Sequence, residues 1–282
     1  MTLAVPDPQH HAVPGTPDAA EARVRVARAG AACRILALGT STEWCSVALL
    51  VRTGAALRVD SLSERAGNAH SRRVLPMVQD VLARAGLSMR DLDAIGFDAG
   101  PGSFTGIRIG CGVAQGIGFG LERPVAAIAS LEAMAWQTRA PVVAVAMDAR
   151  MGEIYVGAFR CTSTGDQDVA VRPVAVAPIA VLPAVQAAEQ LAHWRAAGVL
   201  AADDVVVGDA AARHPAFGAQ LAALALRSIE DTHAHAGSVA CLAEARLKAG
   251  ERLDAAWAAP LYVRDKVALD VDEQRRLRAA RG

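Results

Sequence analysis

Aromatic side chains are scarce: four Trp, two Tyr and five Phe make up 4% of the 282 residues. Since 53% of the chain is hydrophobic, its core must be assembled from small aliphatic side chains, and the length allows about two domains. Net charge is lacking too. Twenty-nine Lys and Arg balance 29 Asp and Glu, so there is none of the basic excess with which a stand-alone nucleic-acid binder or a polybasic membrane binder grips phosphates. Five cysteines, Cys33, Cys45, Cys111, Cys161 and Cys241, are odd in number, widely spaced and without C-x-x-C, as expected of buried thiols in a reducing compartment. The seven histidines form neither H-E-x-x-H nor H-x-x-x-H, and the close pair His233-Ala-His235 lies in a polar loop, a poor start for a metal site. There is no G-x-S-x-G. No apolar run approaches the roughly 18 residues of a membrane span. Pro6, Asp7, Pro8, His10 and His11 stand where a signal peptide would be apolar. A cytoplasmic protein with no membrane partner is expected.

Residues 1–32 are rich in Pro, Ala and charge and read as a flexible extension. Apolar runs at 34–38, 43–51 and 56–62, joined by short turns, predict an antiparallel meander. The period then changes. Val74, Met77, Val78, Val81, Leu82 and Ala85 recur at three and four, predicting an amphipathic helix stopped by Gly86, with Ser71 as N-cap. Pro76 predicts that this helix starts near Leu75 or bends. Ser88-x-x-Asp91 resembles a capping box before a strand at 94–99. A glycine-rich loop, Gly100-Pro-Gly-Ser-Phe-Thr-Gly106, leads into a helix-like segment ending near Gly120. A second module opens at Pro141, with strands at 142–147 and 154–159 flanking the turn Asp148-Ala-Arg-Met-Gly-Glu153. Helices at 183–197, 215–227 and 237–249 and a strand at 205–208 complete it, and 265–282 is a charged tail. Two related α/β modules are expected, without a residue-level repeat.

The helix after the loop carries glycines at 106, 110, 112, 116, 118 and 120, surrendering about 5–6 kcal/mol of helix propensity. Such a loss persists where backbone atoms approach something closely, whether a sheet, a second helix or a ligand. Gly112, Gly116 and Gly120 share one face, Gly106 and Gly110 another. The loop itself suits either a structural turn or an anion cradle built from Gly100, Gly102 and Ser103. Its spacing is neither a Walker A nor a dinucleotide fingerprint. Between the first two strands, Gly39-Thr40-Ser41-Thr42 offers hydroxyls for a phosphate. Gly39 offers no carboxylate for the magnesium ion that would accompany it. Asp98, Asp148 and Glu153 are the carboxylates best placed to face a cleft, or equally to serve as turn and cap residues.

Several stretches together resemble the TsaB (YeaZ) family, required for threonylcarbamoyladenosine in tRNA and paralogous to TsaD. They are Ile35-Leu-Ala-Leu-Gly-Thr-Ser-Thr42, residues 43–49, Asn68-Ala-His-Ser-Arg-Arg-Val-Leu-Pro-Met77, Gly100-Pro-Gly-Ser-Phe-Thr-Gly-Ile-Arg-Ile-Gly110, Asp148-Ala-Arg-Met-Gly-Glu-Ile-Tyr155 and Pro260-Leu-Tyr-Val-Arg264. The likeness is close over 34–160; residues 1–32 have no counterpart. It implies an actin-like, RNase H-like (ASKHA) α/β fold. Two lobes, 33–135 and 136–264, would each hold a mixed sheet flanked by helices, with the last helix packing back on the first lobe. In TsaD an H-x-x-x-H pair follows the glycine-rich helix, whereas residues 127–134 here hold no histidine. The resemblance therefore implies a non-catalytic subunit for threonylcarbamoyl transfer to the adenosine just 3′ of the anticodon in tRNAs reading ANN codons. It would bind a TsaD-like paralogue together with a TsaE-like ATPase, form a homodimer when alone and meet tRNA through the complex. ATP or ADP and metal would sit on the partner subunits, with none bound autonomously. The docking surface expected from this comprises His70, Val74, Leu75, Val78 and Leu82 on one helix and Gly106, Gly112 and Gly116 on the next. The alternative is an autonomous phosphotransferase of the actin and sugar-kinase superfamily, which Gly39 disfavours.

Overall fold

A computed structural model of the chain describes residues 32–138, 140–162, 172–202, 204–230 and 232–264. The expected extension (apart from Ala32) and the charged tail lie outside the described residues. Strands β1 (Cys33–Gly39), β2 (Trp44–Thr53) and β3 (Ala56–Arg65) form the meander. Helix α1 (His70–Ala85), strand β4 (Ala94–Gly100), helix α2 (Phe104–Leu121) and strand β5 (Val125–Ala129) follow. The first sheet has the order β3-β2-β1-β4-β5, with β1, β4 and β5 parallel. After α3 (Ser130–Thr138) come β6 (Val142–Asp148), β7 (Glu153–Thr162), β8 (Arg172–Pro183), α4 (Ala184–Ala196), β9 (Val205–Val207), α5 (Ala210–Arg213), α6 (Pro215–Ala223), β10 (Arg227–Ile229) and α7 (Ala236–Lys248). The second sheet, β8-β7-β6-β9-β10, repeats the order and pairing senses of the first.

Beyond Arg34, strand β1 is apolar because both faces of its sheet are covered. Alternation sends Ile35 and Ala37 to one side and Leu36 and Leu38 to the other. The second pair packs under α1 and α2 with Val74, Val78 and Ala114. The first pair belongs to a core that continues through α3 and α7 to Val143 and Val145 of the second sheet. Helix α7, from the second half, lies on β1, β2 and β4, and α3, from the first half, lies on β6, β7 and β8. Gly96 lets α7 come close: a Cβ there would sit 3.0 Å from that of Ala243. The expected boundary at residue 135 falls inside α3, which ends at Thr138. Helices α4 and α6 cover the far face of the second sheet around Phe217 and Leu221.

Three local expectations need correction. Helix α1 begins at His70 with Ala69 as N-cap, so Ser71 lies within the helix rather than capping it. Pro76 lies inside α1 on its exposed side, so the helix does not start near Leu75. The predicted helix at 215–227 ends at Ala223; Ala225 is left-handed, at φ 55°, and residues 227–229 pair with β9.

Candidate functional site

The C-terminal ends of β1 and β6 face each other across a cleft of about 800 Å³ between the sheets. One wall is the β1–β2 turn with the glycine-rich loop; the other is the β6–β7 turn with Asp209, Arg213 and His233. Of the hydroxyls expected to cradle phosphate, those of Thr40 and Ser103 help hold the first wall together. Thr40 is fully buried, and its Oγ1 donates to the Gly106 carbonyl at 2.8 Å. The Ser103 amide donates to the Ser41 carbonyl at 2.6 Å, and Ser103 Oγ caps α2 by accepting from the Gly106 amide. A Cβ on Gly106 would lie 2.0 Å from Thr40 O, one on Gly110 2.5 Å from Thr40 Oγ1, and one on Gly102 2.3 Å from Ser41 O. These glycines let the turn lie directly on the start of α2. Gly100 has φ 102°, a conformation suited to glycine, and precedes a cis bond to Pro101. Ser41, Thr42, Gly102 and Ser103 line the cleft.

The repeat pairs Gly39, at the end of β1, with Asp148, at the end of β6. A Cβ on Gly39 would stand 2.3 Å from Ser46 Oγ and 3.1 Å from Ala234 O. Ser46 Oγ in turn accepts from the Ala236 amide at the start of α7. The approach to α7 thus occupies the space that a magnesium-holding aspartate would need. Asp148 has fixed partners: His214 Nε2 lies 2.9 Å from its Oδ1, and its amide donates to Asp209 Oδ1. Asp209 also pairs with Arg213, and Glu43 with Arg65, whose hydrogen bond holds the Glu43 carboxyl below its ordinary range. Among the described residues no group of three or more His, Cys, Asp or Glu is arranged to hold a metal. At the end of β1, Gly39 offers no carboxylate to accompany a magnesium-bound nucleotide.

The remaining expected carboxylates divide. Asp98 is buried behind the loop rather than lining the cleft; Ser130 Oγ and the Gly100 amide donate to it at 2.5 and 3.2 Å, and burial pushes its pKa up to about 6. Glu153 pairs with Arg264. Sequence reasoning missed Trp44, Arg65, Asp209 and Arg213 as cleft residues, and His214 as the partner of Asp148. Their positions depend on how the lobes meet, and Trp44 is marked only by stacking on His233 at 4.8 Å.

Of the eight residues expected on a docking surface, Leu75, Gly112 and Gly116 are exposed. Val74, Val78 and Leu82 are buried against the first sheet, because the apolar stripe of α1 covers its own sheet. His70 is buried, with Nε2 2.8 Å from Thr42 O, and Gly106 is buried beneath Thr40. The free face is instead formed by Leu75 and Phe119, 45% and 58% exposed, with Gly112, Gly116 and Gly120, where added Cβ atoms would meet nothing within 4 Å.

Two sheets of one strand order, with helices exchanged between them and a cleft where β1 and β6 end, define an actin-like ATPase fold. The family model for tRNA N6-adenosine threonylcarbamoyltransferase, TsaD, matches residues 62–270. The chain belongs to this family and, within it, to the TsaB (YeaZ) group. YeaZ from Pseudomonas aeruginosa superposes with a TM-score of 0.66 at 35% identity, covering 82% of this chain and 99% of that one. The tRNA threonylcarbamoyladenosine biosynthesis protein TsaB of Haemophilus influenzae is 48% identical over 125 residues, 43% of this chain and 51% of that protein. Its Escherichia coli namesake is 44% identical over 136 residues, 47% and 57% of the two. The chain thus spans about half the length of these curated relatives.

Proposed function

We propose that this chain is a non-catalytic subunit of a tRNA threonylcarbamoyladenosine-forming complex, docking onto a TsaD-type paralogue that carries metal and nucleotide. The exposed outer face of α1 and α2 is the docking surface, and the same face mediates self-association when the partner is absent. A TsaE-type ATPase joins the assembly in the cytoplasm, and tRNA is held through the complex. The observation that carries the non-catalytic reading is the space at Gly39, closed by Ser46 and the approach to α7. The paired state of Asp148, Asp209 and Glu43 supports it; the names of the relatives support the place in tRNA threonylcarbamoyladenosine formation.

The docking face is tested by Leu75→Glu and Gly116→Arg, both on exposed positions, with association to a TsaD-type protein followed by light scattering. Folded variants should lose the heterodimer. Association at wild-type strength would refute this surface. Calorimetry with ATP and Mg²⁺ tests the empty-handed cleft: no metal-dependent binding is expected, and tight binding would overturn the reading.

A further inference from the structure

The two lobes share a continuous core through α3 and α7. At the cleft mouth a second connection exists. After α7 the chain runs beside α2, where Gln115 donates to the carbonyls of Ala255 and Ala258, and then crosses from one lobe to the other at 260–264. Its first anchor is on the end of β4, just before the glycine-rich loop: the Leu261 amide donates to Ala99 O at 2.7 Å. A second is on α2. Tyr262 OH accepts from Arg108 Nε at 2.9 Å, while the Arg108 guanidinium sits 3.6 Å above the Phe104 ring. The third is on the opposite wall, where Arg264 donates to Ala149 O at 3.0 Å and pairs with Glu153.

That last anchor grips both ends of a turn with little local preference for its shape. Arg150 and Met151 are left-handed, at φ 61° and 57°, a costly conformation for side-chain-bearing residues. Two backbone bonds close the turn, from Ala149 N to Glu153 O and from Glu153 N to Arg150 O. In the crossing segment Leu261 and Tyr262 are exposed, while Val263 is partly buried against the shared core. A bridge that rests on a few anchors between well-packed bodies can open without unfolding either.

We propose that residues 260–264 form a latch that holds the lobes closed over the cleft, with Arg264 as the catch on the second lobe. Hydrogen exchange of the full chain, read by mass spectrometry, tests this. Arg264→Ala raises amide exchange at 149–153 about tenfold or more and also at 232–235, a second segment along the cleft. Peptides from β1, β6 and α7 keep their protection. Tyr262→Phe, which deletes only the hydroxyl accepting from Arg108, produces the same pattern at smaller amplitude. An increase confined to 149–153 would reduce Arg264 to a local turn support and overturn the latch. Unchanged exchange at 149–153 in both variants, or an equal rise in β1, β6 and α7, would overturn it as well.

Discussion

The glycines of α2 divide by what stands opposite them. Gly106 faces the Thr40 carbonyl at a distance no Cβ tolerates, while Gly112 faces open space. Gly106→Ala should therefore cost about 3 kcal/mol through overpacking against backbone. Gly112→Ala should gain about 1 kcal/mol of helix propensity. Urea midpoints of the two variants check the opposite signs. Gly39→Asp should cost about 1–3 kcal/mol, for want of room beside Ser46, and should confer no Mg-ATP affinity in calorimetry. Asp98 gives a pH signature. Its folded pKa of about 6 lies above the ordinary aspartate value of 3.8, so the folded state binds the extra proton between these values. Its contribution is fully present below the unfolded pKa and is lost as pH rises through about 6, an effect on the order of 3 kcal/mol. Asp98→Asn should thus gain stability relative to wild type between pH 4 and pH 7.5 in thermal melts; a pH-independent difference would contradict this. The cost of six glycines was plain in the sequence. Which of them met backbone and which met solvent depended on Thr40 folding over α2, a contact 66 residues apart.

At the scale of elements, the meander, α1, β4 and the turn at 148–153 were readable because their periods were unbroken and their ends carried glycine or capping residues. Strand β8 was not read, since Pro173, Pro178 and Pro183 punctuate it; as an edge strand it needs only one ladder, and its pairing with β7 is bulged. Strand β10, three exposed residues long, carries no pattern of its own. The apolar stripe of α1 was found correctly but given the wrong duty: a helix on a sheet spends that stripe on its own core. Hence Val78→Glu should unfold the chain, as an unpaired charge forced into a fully buried site. Leu75→Glu should leave the melting temperature within about 2 °C while abolishing partner association. Circular dichroism melts together with light scattering separate the two.

For the molecule as a whole, two modules were foreseeable from alternating strands and helices, but their common strand order was not, because side-chain identities differ between the halves. Of the exchanged helices, α7 was expected on the first lobe from the family resemblance, whereas α3 was hidden: it is sequence-adjacent to the first sheet and packs on the second. That exchange brings the approach to α7 against Gly39 and so removes the carboxylate position from the cleft. The neutral charge balance fits the same account, in which grip on tRNA and chemistry belong to partners. The most direct measurement is formation of threonylcarbamoyladenosine on tRNA from threonylcarbamoyl-AMP, with TsaD-type and TsaE-type proteins, in the presence and absence of this chain. The account predicts sustained modification only when the chain is present, none from the chain alone, and none with folded Leu75→Glu. Equal modification without the chain, or modification by the chain alone, would contradict it.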